Sequence, residues 1–137
     1  MDRLACVCAP VLLALLVACA HPSPPAPVQP GDAFLSAIAR HCGQAFAGRV
    51  IANVPRPTTP DAFEGKPLVM HVRGCDSPSQ ALRIPFHVGE DRSRTWVLTR
   101  TPDGLRLKHD HRHRDGAPDA VTMYGGDTVD AGTAARQ

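Results

Sequence analysis

The chain has 137 residues, of which 20% are charged and 4% aromatic, with five cysteines and a formal net charge of +2. A net charge so close to neutral is too small to argue for a phosphate-backbone partner, so no nucleic-acid partner is expected. With an amino-terminal targeting segment set aside, about one hundred residues remain, enough for one small domain with a modest core.

Residues 4–18 form an apolar run after the short start Met1-Asp2-Arg3. The run has signal-peptide length, falls short of the roughly 18–20 residues needed to span a bilayer, and contains Pro10. Leu16-Val17-Ala18-Cys19 closes it and resembles the lipobox of bacterial lipoproteins. That resemblance implies a signal peptide over residues 1–18, lipidation of Cys19, and loss of Cys6 and Cys8 with the signal. Ala20, where an inner-membrane retention signal would have Asp, implies sorting to the periplasmic face of the outer membrane. The alternative is a plain secretory signal with an incidental cysteine. Residues 19–31 then read as the lipidated cysteine and a tether, because Pro22, Pro24, Pro25, Pro27 and Pro30 favour an extended polyproline-type chain.

The folded part is expected over residues 32–137. Asp32 is placed to cap a short helix reaching 40–42, with Phe34, Leu35, Ile38 and Cys42 on one apolar face. Gly43 suits the turn that ends it, although residues 44–47 could add another helical turn. Cys42 and Cys75 are the two cysteines left after the lipidated one, and in an oxidising periplasm they are expected to form a disulfide. The catalytic alternative, a Cys42–His41 pair, is poorly aimed, because adjacent helix positions point about 100° apart.

From residue 49 the apolar period becomes two, and strands are expected at 50–54, 68–73, 82–88, 95–101, 105–113 and 120–124. Pro85 puts its strand at an edge or a bulge. Thr101-Pro102-Asp103-Gly104 reads as a hairpin turn, as does Asp115-Gly116. The expected fold is mainly β with one N-terminal helix: an antiparallel meander sheet, open or only partly barrel-like, ending in a poorly ordered tail over 125–137. Six strands are fewer than the roughly eight that close a small barrel. The sheet then keeps an exposed edge, or a partner covers it, or the chain is shortened.

Cys42 to Gly48, Ile84 to Arg100, Leu105 to His113 and Val121 to Asp127 together resemble an uncharacterised family of small proteobacterial secreted proteins and lipoproteins. The resemblance implies no activity. Its members continue past the equivalent of Gln137, and strands missing at the C-terminal end would put an intact barrel here in doubt.

Lys108-His109-Asp110-His111-Arg112-His113 is the one constellation that invites chemistry. Alternation puts His109, His111 and His113 on one strand face with Leu105 and Leu107. Two imidazoles about 6.8 Å apart can turn to one zinc or copper ion, with His87 or His71 as a further ligand. The competing readings are a solvated rim and the polar lining of a cavity. If the turn at 101–104 carries a glycine bulge, the histidines share a face with Thr95, Val97 and Thr99, and the proline favours this register. A two-residue loop would bring them beside Trp96 and Leu98 instead.

No nucleophile, base and orienting group assemble from these motifs, so a non-catalytic role is expected. The domain would bind a small ligand or a protein partner in the envelope, tethered to the membrane by lipid. The alternative is a zinc- or copper-binding lipoprotein using His109, His111, His113 and His87.

Overall fold

The computed structural model of the chain describes residues 25–59 and 61–137. The segment expected to be a signal peptide, residues 1–18, and the expected lipidation site Cys19 lie outside the described residues. Among the described residues no helix is long and apolar enough to cross a membrane.

Helix α1, Pro30–Ala39, begins two residues ahead of the expected cap. Gln29 is the N-cap and Pro30 opens the first turn, where a missing amide hydrogen costs nothing. Asp32 therefore sits inside that turn, near the positive end of the helix dipole, and pairs with Arg100 of the sheet. Gly43 holds φ +85°, and its amide donates to the Val72 carbonyl at 2.7 Å. This turns the chain straight into a strand, so residues 44–47 do not extend the helix.

The strands are β1 (Ala45–Gly48), β2 (Leu68–His71), β3 (Ala81–Val88), β4 (Asp91–Thr101), β5 (Gly104–His111) and β6 (Tyr124–Asp127). They pair in chain order, every pair antiparallel, as one open six-stranded meander. The sheet does not close into a barrel, and among the described residues β1 and β6 are its free edges.

Two expected strands differ. Residues 50–54 form no strand, and Ile51 and Val54 stand almost fully exposed. The β1–β2 ladder ends at Gly48↔Leu68, and the next position on the partner side is Pro67, which has no amide hydrogen to continue it. The last strand is shifted from 120–124 to Tyr124–Asp127. Met123 takes φ +54°, which breaks the extended chain before Tyr124. Gly125, at φ +141°, lets β6 lie against β5, because a Cβ there would overlap the Leu107 carbonyl oxygen.

Pro85 lies at an irregularity. Met70 pairs Phe86, but the chain resumes contact as Gly74↔Arg83, one residue out of step. The proline sits in the gap, where no ladder bond is required of it.

The core lies at one end of one face. Leu35 of α1, Leu82 of β3 and Leu105 of β5 are buried together, with Phe34, Ile38, Ala39, Leu98 and Cys75 packed around them. Each buried leucine contributes about 1.5–3 kcal/mol. The Cys42–Cys75 disulfide, with Cα atoms 6.3 Å apart, ties the chain just after α1 to the β2–β3 connection.

Candidate functional site

The strand registers decide which side chains share the face that α1 half covers. Leu98 pairs Leu107, Trp96 pairs His109, and His109 pairs Tyr124, so these residues lie on the side of Leu82 and Leu105. Phe86 is diagonal to Trp96 on the same side. The expectation that Trp96 lies away from the histidines is therefore overturned. The β4–β5 loop is the two residues Pro102 and Asp103, with Thr101 opposite Gly104. Gly104 has no positive φ and makes no bulge. Its missing side chain is used differently, since a Cβ would strike the Thr128 hydroxyl that accepts the Leu105 amide at 3.1 Å.

These registers build a row of rings across four strands, beyond the end of the helix. Phe86 and Trp96 stack with centroids 4.8 Å apart and planes 8° off parallel. His109 and Tyr124 stack likewise, at 4.8 Å and 12°. Trp96 meets His109 edge to face at 6.0 Å, joining the two pairs. Phe63, from the loop before β2, extends the row at 6.1 Å from Phe86, and the Arg94 guanidinium lies over it at 5.4 Å. At the other end His111 meets Tyr124 at 5.4 Å, with its Nε2 3.2 Å from the hydroxyl. Neighbouring strands are about 4.8 Å apart, so side chains of this size at paired positions are forced into contact. Each such pair is worth about 0.5–1.5 kcal/mol beyond its area.

The row is not sealed. Phe63, Phe86, Trp96, His109 and His111 are part-exposed, and Tyr124 is 46% exposed. Phe46 and Met70, paired across β1 and β2, continue the apolar face to the opposite edge. An apolar cleft of about 420 Å³ between α1 and β6, lined by Phe34, Leu98, Leu105, Leu107 and Val129, adjoins it. Burial, and then His111, hold the His109 imidazole below its usual pKa, so the ring is neutral at pH 7.

The four histidines named as metal ligands are not brought together. His109 and His111 share a face, as alternation requires, and Tyr124 touches both rings. His113 lies past the end of β5 and is exposed. His87 faces the other side of the sheet, opposite Val69 and 3.3 Å from Arg92. Among the described residues no three His, Cys, Asp or Glu side chains converge as a metal site would need.

One residue of weight was not singled out from the sequence. Asp110, on the reverse face of β5, is 2% exposed. Arg83 reaches it at 2.7 Å and Arg112 at 3.1 Å, while Thr122 lies at 3.5 Å. Burial pushes its carboxyl up, but the two arginines outweigh that and hold it below the ordinary carboxylate value. It braces the strand that carries His109 and His111. No family model, curated protein or solved structure matches this chain.

Proposed function

We propose that the protein is a non-catalytic binding domain of the bacterial envelope, held at the periplasmic face of the outer membrane by lipid on Cys19. Its recognition surface is the ring row Phe63–Phe86–Trp96–His109–Tyr124. The lipobox-like Leu16-Val17-Ala18-Cys19 and the proline-rich tether support the location. The observation that carries the binding reading is the row itself: five ring side chains, drawn from four strands and a loop, left part-exposed on the half-face that the helix does not cover. Rings buried only against each other are poorly repaid for their size, and an exposed apolar surface of this kind marks a contact site. Stacking takes one face of each paired ring, so a partner meets the remaining exposed faces and edges, the Tyr124 hydroxyl and the imidazole nitrogens. That suits a ligand or protein segment with apolar groups and hydrogen-bond acceptors along one side.

The test is photo-crosslinking in intact cells from position 124, with position 99 on the reverse face as control. A discrete adduct at 124 that is lost on Trp96→Ala is expected. Adducts at 99 but none at 124 would sink the proposal.

A second reading, zinc or copper held by His109 and His111, has their shared face in its favour. Two imidazoles leave the remaining positions to water, or to Tyr124 at most. Stoichiometric metal that survives chelator and disappears in His109→Ala/His111→Ala would establish it. Uptake that the double variant leaves unchanged would end it.

A further inference from the structure

The reverse face of the sheet carries a second assembly, independent of the ring row. His87 of β3 lies opposite Val69 of β2, and His71 is two residues along β2 on the same side. The register slips by one residue between Phe86 and Val88, and this brings Arg92 of β4 onto His87. Its guanidinium donates to His87 Nδ1 at 3.3 Å. Accepting that bond leaves the neutral imidazole with its proton on Nε2, facing away from Arg92 as a donor. Arg73, two residues past the end of β2, lies close enough for its charge to act on His87.

Every charged group that acts on His87 is basic. Burial, then Arg92, His71 and Arg73, push its imidazole below the usual value, and no carboxylate offsets them. Among the described residues neither Arg73 nor Arg92 forms an ion pair, although the other arginines of the same face do. Arg83 and Arg112 share Asp110, and Arg106 takes Asp127. The nearby Asp91 is engaged elsewhere, accepting the Ser93 amide at 2.9 Å and pairing with Arg94, and its carboxyl is lowered to about 2. Folding thus gathers basic groups from three strands around His87, and among the described residues no carboxylate pairs with Arg73 or Arg92 to offset their charge.

We propose that His71, Arg73, His87 and Arg92 form an oxyanion site for a phosphate group, carried by a soluble phosphate ester or by an anionic phospholipid headgroup. Two guanidinium groups match an anion with several acceptor oxygens, and an anion that draws Arg92 off His87 Nδ1 frees that nitrogen to take the proton and donate to it as well. The site lies on the face away from Trp96, so it can be filled while the ring row is occupied.

The test uses the full chain carrying Cys19→Ser, which removes the acylation site. His71 and His87 ring signals are followed by NMR during addition of inorganic phosphate, with chloride at matched ionic strength as control. Sedimentation with phosphatidylcholine vesicles is compared with vesicles containing phosphatidylglycerol. Arg73→Gln/Arg92→Gln is run beside it, with unchanged circular dichroism as the check on folding. Saturable shifts with phosphate, weakened at least about ten-fold in the variant, are the result expected of a soluble ester; that is the scale of one lost charge-assisted hydrogen bond. Sedimentation that depends on phosphatidylglycerol and on both arginines assigns the site to a headgroup. Equal shifts with chloride, or binding that the variant retains, would overturn the proposal.

Discussion

Breaking the Cys42–Cys75 bond should remove a large part of the stability of this domain. The bond closes 33 residues of sequence separation. In the chain-entropy treatment, releasing a loop of that size from the denatured ensemble costs the fold about 3.7 kcal/mol. A domain of this size has about 5–15 kcal/mol in total. The fully buried cluster supplied by the helix and sheet is small, three leucines with part-buried neighbours, so the lower half of that range applies. Urea unfolding of Cys42→Ala/Cys75→Ala, followed by the single tryptophan, should show a midpoint lower by about 2.5 M at a slope of about 1.5 kcal/mol per M. Wild type with reductant should shift by a similar amount, which separates loss of the cross-link from loss of sulfur packing around Leu35. A shift below about 0.5 M in both would refute the reasoning, since the helix would then be held by packing alone.

Three other outcomes follow from named contacts. Asp110→Ala should cost about 2–3 kcal/mol by urea unfolding, because two charge-assisted bonds are lost while Arg83 and Arg112, each about half exposed, return to water; a cost within 0.5 kcal/mol, the ordinary range for a surface site, would contradict it. Gly125→Ala should push β6 away from Leu107, costing about 1–3 kcal/mol and weakening the His109–Tyr124 stack, visible as a shifted His109 ring resonance; an unshifted resonance counts against the close approach. His109 has a lowered folded pKa, so its unfolded form binds the proton more readily; its contribution is present above about pH 6.5 and fades as pH falls through the folded value. Denaturation at about pH 7.5 and 5.5 should show a smaller loss on acidification for His109→Gln than for wild type; equal losses would remove His109 from the account.

Much of the fold could be read from alternation. Leu82, Ile84 and Val88 are buried on one side, and Leu105 with His109 repeats the pattern on β5, as a period of two requires. The relation between strands could not be read, because it hangs on one residue of turn geometry. Gly104 looked like a bulge former, yet it is needed small so that Thr128 can approach Leu105. That single choice put Trp96 beside His109 and created the ring row. Phe63 joins the row from a loop with no periodic signal at all. Residues 50–54 show the opposite failure, an apolar, β-branched segment with no strand to pair with. Asp110 looked like one polar residue in a charged alternation; its burial depends on Arg83, 27 positions away.

The two ends of the sheet are held by different means. One end has the leucine cluster, the helix and the disulfide; the other has ring contacts and a bridged carboxylate. Protection against amide exchange should therefore grade along each strand instead of from central strands to outer ones. On β4 and β5 the amides of Leu98 and Leu105 would exchange only with global opening, while those of Ser93 and His111 exchange through local fraying. Such a gradient would let the ring-bearing end loosen, and refit around the proposed partner, without the hairpin end letting go.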